Sequence, residues 1–378
     1  MKHPISILHI ITGLSTGGAE TMLFKLLSGM DKSKFDNQVV SLLERGPVAD
    51  KIEALGIPVQ SLCMPRGIPD PRGVWKMGRL IRKAKPDVIQ TWMYHADLMG
   101  GLAAKSVSKA PVIWGIHHSN LDPKHNKKTT IWTVKLCSNL STLVPERIVC
   151  CSNASEQVHA NAGYYQDKMI VIPNGFDLKS FGPNRPARAS VRQELGLAQD
   201  ALLLGMVARF DPQKDHDNLV RAASHLKDGG IDAFFVLCGN NINENNPTLQ
   251  NWLKEAGLID RFFLLGPRDD IPRINAALDI ACLSSIGEGF PNVLGEAMAC
   301  EVPCVATDVG DSAAIIGDTG RIVPPKDPEE FAQACKELID LGAESRAQLG
   351  KAARQRVETH FELGKVVRQY EDLYRAII

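Results

Sequence analysis

The stretch Ile5-Ser6-Ile7-Leu8-His9-Ile10-Ile11-Thr12-Gly13-Leu14-Ser15-Thr16-Gly17-Gly18 sets a pattern that the rest of the chain repeats. Residues 5–11 form a short, nearly continuous apolar run, which predicts a strand buried on both faces. The glycine-bearing loop at 12–18 turns the chain, and 19–29 carries apolar residues at helical spacing. Strand, tight loop and helix make one βα unit. Similar runs at 38–43, 59–62, 88–91, 112–116, 148–151 and 169–172 predict six more strands, the last ending at Pro173-Asn174-Gly175. A second series follows at 202–207, 234–238, 262–265, 280–283, 303–307 and 320–323, with helices between. Pro183, Pro186, Gly175, Gly182 and Asn184 cluster in 174–188, which is linker composition. The chain ends in three helical segments near 328–341, 344–360 and 362–378. Two α/β halves are expected, each a parallel sheet with helices on both faces. A hinge between them would create a cleft along the carboxyl ends of both sheets, where open α/β folds bind ligands.

With 378 residues the chain is long enough for about two domains. Its 44% hydrophobic and 23% charged residues are ordinary for a globular enzyme. Formal net charge is zero, yet residues 1–178 hold 21 Lys and Arg against 14 Asp and Glu, or +7, and the remainder balances it at −7. That asymmetry suits an anionic partner such as a lipid phosphate or a membrane surface, and equally an accidental drift of surface charge. No nucleic-acid partner is expected. Nine cysteines occur without a Cys-x-x-Cys pair, which predicts buried thiols in a reducing compartment. The start lacks a secretory apolar region, and no apolar run reaches the roughly 20 residues that span a bilayer. A cytoplasmic protein is expected, with any membrane contact peripheral at the inner face.

The richest chemistry lies in Glu288-Gly289-Phe290-Pro291-Asn292-Val293-Leu294-Gly295-Glu296. Two carboxylates flank a Gly-Phe-Pro turn, and a helix is expected to start at Pro291 or Asn292. Glu288 then stays in the loop, and Glu296 falls about one turn inside the helix. Such a pair can hold hydroxyls at the two ends of a nucleotide-sugar, while the N–H groups of Gly289 to Val293 meet the diphosphate. Arg209 and Lys214 follow the first strand of the second half. Two cations aimed at a departing phosphate can do the work of a divalent metal. Taken singly, each pattern reads equally as surface charge.

These motifs resemble the family 4 retaining glycosyltransferases of GT-B architecture. Gly17-Gly18-Ala19-Glu20, Val171 to Gly175, Leu265-Gly266-Pro267-Arg268 and Val302 to Gly310 extend the resemblance over nearly the whole chain. It implies two Rossmann-like domains: 1–178 binds the acceptor, 179–359 binds the nucleotide-sugar, and helix 360–378 packs back on the first. It implies that Arg209 and Lys214 contact the donor diphosphate, Glu296 the ribose and Glu288 the transferred sugar. The backbone near Pro267–Asp270 would read the base, and Gly266, Pro267 and Arg268 are donor-binding candidates. Gly17 and Gly18 would border the donor phosphates, although the loop is not G-x-G-x-x-G and is a weak signal alone. Either His117 or His118 would meet the transferred sugar, against a packing role for both. His95, Lys124 and Asn174 are candidates on the acceptor side, and Lys124, Lys127 and Lys128 would add basic charge there in a mobile loop.

No cofactor and no metal are expected. Asp215-His216-Asp217 mimics a D-x-D metal site but falls at a helix start, where Asp caps. Cys300 and Cys304 lack companions at zinc spacing. The basic stretch 75–85 reads first as a helix packed on its sheet, and second as a segment lying on an anionic membrane. The implied reaction transfers a hexose-type sugar, with UDP as the favoured nucleotide, to a carbohydrate or lipid-linked acceptor. It belongs with bacterial polysaccharide, lipopolysaccharide or lipid-linked oligosaccharide synthesis. A nucleotide-sugar epimerase of the same architecture and a non-catalytic nucleotide-sugar-binding scaffold are the alternatives. A nicotinamide dehydrogenase is disfavoured without G-x-G-x-x-G.

Overall fold

The computed structural model describes residues 3–65, 71–122 and 126–378. The chain divides into two compact units. Unit 1 comprises Met1–Gly175 and Leu363–Ile378, and unit 2 is Phe176–Glu362.

Unit 1 is built on seven parallel strands: β1 (Ile5–Ile11), β2 (Phe35–Ser41), β3 (Val59–Ser61), β4 (Val88–Trp92), β5 (Val112–Ile116), β6 (Arg147–Cys150) and β7 (Met169–Val171). Their order is β3-β2-β1-β4-β5-β6-β7. Six helices follow these strands: α1 (Gly18–Gly29), α2 (Pro47–Ala54), α3 (Pro71–Ala84), α4 (Tyr94–Val107), α5 (Lys128–Leu140) and α6 (Asn153–Asn161). Strand side chains alternate between faces, so one sheet carries two cores. On one face Ile7, Ile11, Val39 and Trp92 pack under α1, α2 and the C-terminal helix. On the other, Leu8, Ile10, Ile89 and Trp114 pack under α3, α4 and α5.

Unit 2 has six parallel strands: β8 (Leu202–Val207), β9 (Ala233–Cys238), β10 (Phe262–Leu264), β11 (Ile280–Leu283), β12 (Cys304–Thr307) and β13 (Arg321–Val323). Their order is β10-β9-β8-β11-β12-β13. Its helices are α7 (Arg185–Glu194), α8 (His216–Asp228), α9 (Pro247–Glu255), α10 (Ile271–Asn275), α11 (Asn292–Ala299), α12 (Ser312–Ile316), α13 (Pro328–Asp340) and α14 (Gly342–His360). The C-terminal helix α15 (Leu363–Ala376) returns to unit 1 and packs beside α1.

Two expectations change in detail. The 174–188 linker is not wholly irregular, because Asn184 caps α7 by accepting from Ala187 N–H (2.9 Å). Pro186 then falls in the first turn, where its missing N–H costs nothing. The last helix starts at Leu363, since α14 runs on through His360.

In both units the sheet order reverses beside the first strand, between β1 and β4 and between β8 and β11. Chains leaving two such strands diverge to opposite faces and open a crevice at the strand ends. The loops after β1, β8 and β11 hold Gly17, Arg209, Lys214 and Glu288 to Pro291 of the site residues expected from sequence, and His117 and His118 follow β5.

Candidate active site

In unit 2, the loops after β8 and β11 are joined by side chains. Lys214 Nζ meets Glu288 Oε1 at 2.5 Å, and Ser285 Oγ donates to the same oxygen at 2.6 Å. Gln213 Nε2 donates to Gly287 O (2.6 Å), and Ile286 N–H donates to Gln213 O (2.8 Å). Ser284 Oγ, fully buried, donates towards Lys214 O (3.0 Å) and Asp215 O (2.8 Å). Lys214 and Glu288 are 74 residues apart in sequence, and the strand order alone brings them together.

Arg209 stands clear of this knot. Its side chain is 58% exposed, against 18% for Lys214, and its Nε bonds Asp211 Oδ2 at 3.1 Å. Asp211 also caps the following turn by accepting from Gln213 N–H (2.9 Å). The site thus presents one cation steadied in a carboxylate pair and a second reaching into solvent.

Below Glu288 the chain enters α11. Pro291 is its N-cap and makes no side-chain capping bond, and Leu294 N–H turns back to Pro291 O (3.1 Å), so the helix presents the positive end of its dipole here. Asn292 starts the helix and Glu296 lies half-buried about one turn inside it. Gly310 fixes the turn's path. Its φ of +55° suits glycine, and a Cβ there would lie 2.4 Å from Glu288 O and 2.6 Å from Gly289 O. The Phe290 ring is not part of an open pocket. It is buried against Phe176 (6.1 Å, stacked) and Phe361 (5.8 Å, edge-on), so only its backbone is available to a donor.

The loop after β10 is held in a similar way. All three guanidinium nitrogens of Arg268 are engaged, two by Asp270 and one by Glu194, each at 2.8 Å. The Arg268 guanidinium in turn holds the Asp270 carboxyl well below the usual carboxylate range. What Gly266, Pro267 and Arg268 can offer a base is therefore main chain, with Gly266 at φ +64°.

The Asp215-His216-Asp217 segment does not assemble a ligand set. Asp215 is the N-cap of α8 at φ +49°, but its side chain makes no capping bond. His216 is buried beside Phe210, and burial pushes its pKa down to about 4. Asp217 pairs with Arg221 (3.1 Å). Among the described residues no group of three His, Cys, Asp or Glu side chains is placed to hold a metal ion. Eight cysteines are buried, including Cys300 and Cys304, and Cys63 is exposed.

The switch-point loops of unit 1 differ in character. Gly17 is the N-cap of α1 in an extended conformation, and a Cβ there would come closest to the Glu20 side chain. Gly18 is the first residue of that helix. The glycine that shapes this loop is Gly46, which sequence reading missed: a Cβ would lie 2.3 Å from Leu14 O. Glu20, in the first turn of α1, has its carboxyl pKa raised by burial.

His117 stacks on Trp92 (5.0 Å, 19°), and neither of its buried ring nitrogens finds a hydrogen-bond partner. Burial pushes its pKa down to about 4, so the ring is neutral near pH 7. Trp92 Nε1 donates to His9 Nδ1 (3.3 Å), and His9 Nε2 meets Asn37 Oδ1 (3.0 Å). His118 O accepts from Ser155 Oγ (3.0 Å), which ties this loop to α6. Met93 holds φ +76° as the N-cap of α4, two residues before the half-buried His95. Burial also lowers the His95 pKa. Asn174 is buried at the end of unit 1. Lys124 lies outside the described residues. Lys127 and Lys128 are not a basic loop, because they are the N-cap and first residue of α5.

Comparison with known proteins agrees with this layout. The family model described as Glycosyltransferase Family 4 matches residues 16–180, and that of Glycosyl transferases group 1 matches 187–356. The chain is a family 4, group 1 glycosyltransferase. Among its relatives is the Escherichia coli UDP-Gal:alpha-D-GlcNAc-diphosphoundecaprenol alpha-1,3-galactosyltransferase, 25% identical over 94% of this chain and 96% of the relative. The D-inositol 3-phosphate glycosyltransferase of Mycobacteroides abscessus is 34% identical over 46% of this chain and 39% of its own. Among solved structures, Anabaena HepE in complex with UDP matches with a TM-score of 0.87 at 22% identity, covering 98% of this chain and 100% of HepE. That likeness shows the fold: this glycosyltransferase has the GT-B fold, with two Rossmann-like parallel-sheet domains.

Proposed function

We propose that this glycosyltransferase moves a hexose-type sugar from a UDP-sugar to an acceptor hydroxyl, with retention at the anomeric carbon and without a metal. Unit 2 binds the donor, and unit 1 takes the acceptor. The observation that carries the reading is the Lys214–Glu288–Ser285 knot at the start of α11, with the exposed Arg209 on the same loop as Lys214.

Lys214 and Arg209 stabilise the charge that grows on the departing diphosphate, together with the positive N-terminal end of α11. Glu296 receives the ribose hydroxyls, and Glu288 the hydroxyls of the transferred sugar. One oxygen of Glu288 is already shared by Lys214 and Ser285, which makes its carboxylate a weak nucleophile. Attack is therefore from the front face, and the departing phosphate accepts the proton of the incoming hydroxyl. The neutral His117 ring, held on Trp92, offers hydroxyl-bonding nitrogens without bringing charge to unit 1. The names of its relatives favour UDP as the nucleotide and a lipid-linked saccharide as the acceptor class. Polysaccharide or lipid-linked oligosaccharide assembly is the fitting setting.

The test is transfer from UDP-glucose, UDP-galactose, UDP-N-acetylglucosamine and GDP-mannose to a polyprenyl-diphosphate-linked sugar, with and without EDTA. An α-linked product formed from a UDP-sugar at an undiminished rate in EDTA is expected. A β-linked product, loss of turnover in EDTA, or a covalent sugar–Glu288 adduct in the mass spectrum would refute the mechanism.

A further inference from the structure

The two helix layers of unit 1 carry opposite kinds of surface. Helices α1, α2 and α15 cover one sheet face and hold five Lys or Arg and five Asp or Glu. Helices α3, α4 and α5 cover the other and hold eight Lys or Arg: Arg72, Lys76, Arg79, Arg82, Lys83, Lys105, Lys128 and Lys135. All eight are exposed, and the sole acid of these helices, Asp97, is completely buried. The neighbouring α6 adds only the half-buried Glu156.

Apolar exposure follows the same division. Trp75 (60% exposed), Trp132 (71%), Leu102 and Leu136 all lie on α3, α4 and α5. Leu143 follows α5 directly, and exposed Tyr165 donates its N–H to Ser141 Oγ (2.9 Å) at the end of that helix. Among the described residues of unit 1, only the C-terminal Ile378 is a large exposed apolar residue elsewhere.

Close packing makes this one surface. Gly73 on α3 sits against Met99 on α4, Gly78 against Val107, and Gly101 on α4 against Val144 just past α5. The three helices thus run side by side in one direction, with Trp75, Leu102 and Leu143 at about one level. Trp132 and Leu136 lie one turn apart on α5. The Arg79 guanidinium lies over the Trp75 ring at 4.8 Å.

We propose that this face, formed by α3, α4 and α5, docks on an anionic lipid bilayer, with Trp75 and Trp132 seated at the headgroup level. Indole rings with one apolar and one polar edge favour that depth. Basic side chains within a Debye length of an anionic leaflet each strengthen binding by about fivefold. A second copy of the chain is the poorer occupant, because a twofold contact would set eight cations against eight. Docking goes beyond the transferase reading and does not rest on it. It would deliver unit 1 to acceptors that are themselves anchored in lipid.

The test is flotation of the full chain with vesicles of phosphatidylcholine, or of phosphatidylcholine with 30% phosphatidylglycerol, at about 0.1 and 0.5 M salt. Binding to the anionic vesicles alone, weakened at least tenfold by the higher salt, is expected. Trp132→Ser with Leu136→Ser should weaken it about tenfold, and separately Lys105→Glu with Lys135→Glu about 25-fold or more. Both pairs should leave the melting temperature and transfer to a water-soluble acceptor unchanged. Lys51→Glu with Lys365→Glu, on the opposite layer, should bind as the wild type does. Equal binding to neutral and anionic vesicles would overturn the proposal. So would unaltered binding by both face variants, or a dimer that the Trp132/Leu136 pair dissolves. Vesicle binding is read without donor, so its failure leaves the transferase reading standing. Loss of transfer with binding intact would count against that reading alone.

Discussion

Units 1 and 2 repeat one architecture and fill its crevice with opposite chemistry. Both place a non-glycine residue with positive φ at a helix start beside the switch point, Met93 in unit 1 and Asp215 in unit 2. Such conformations cost about 1–3 kcal/mol and persist where the surroundings enforce them. Around Met93 the groups are neutral: the buried His9 and Trp92 and the half-buried His117, whose ring nitrogens are covered, with Asp97 beneath, whose carboxyl burial pushes well up. Around Asp215 they are charged and paired: Arg209 with Asp211, and Lys214 with Glu288. A fold that ends its strands at a crevice does not decide what binds there; the loop residues do. The charged crevice suits a diphosphate and the neutral one suits hydroxyls.

Acid should break this comparison most visibly. His9, His117 and His159 in unit 1 and His216 in unit 2 all have pKa values pushed down to about 4, in each case first by burial. A histidine with a depressed folded-state pKa binds its proton first in the unfolded chain. Its contribution is present above about pH 6.5 and is lost as pH falls towards 4, at most on the order of 3 kcal/mol each. Asp97 has the opposite sign, because its raised pKa favours the folded state at low pH. Calorimetry from pH 7 to 4.5 should show unit 1 losing more stability than unit 2, and the His117 ring proton should not titrate above pH 5 by NMR. Equal loss in both units, or a His117 midpoint near 6.5, would erase the distinction.

Lys214→Ala should come next, cutting kcat/KM for transfer by about 10²–10³ with little change in melting temperature. An unchanged rate would remove the charged role from unit 2. Gly310→Ala should destabilise unit 2 by about 2 kcal/mol or more, because it combines a left-handed φ with a clash against two carbonyls. Thermal melting checks it, and a neutral effect would show that the turn before α11 yields easily. The smallest effect is expected for Gln213→Ala, which removes one bond between the two loops and should weaken UDP binding about fivefold, or about 1 kcal/mol.

All thirteen strands were legible because buried parallel strands are nearly unbroken apolar runs. Their ends were less so. Residues 38–43 were expected where β2 spans Phe35–Ser41, since Asp36 and Asn37 break the run. Asn37 is nonetheless buried, its amide oxygen facing His9, and only tertiary contact makes that affordable. The start of α11 was readable from its Pro-Asn step. Two partners of its loop were not, because Lys214 and Gln213 meet Glu288 and Gly287 only through the β8–β11 neighbourhood. Phe290 stood beside glutamates and glycines in sequence, yet its ring belongs to the core with Phe176 and Phe361. The neutral His117 needed Trp92, twenty-five residues earlier, to explain it.

Calorimetric titration of UDP into the wild type and Lys214→Ala, with and without EDTA, tests the central claim most directly. Binding that is indifferent to EDTA and at least tenfold weaker in Lys214→Ala is predicted. Binding that EDTA abolishes, or that Lys214→Ala leaves untouched, would contradict a diphosphate held by the charged loops of unit 2.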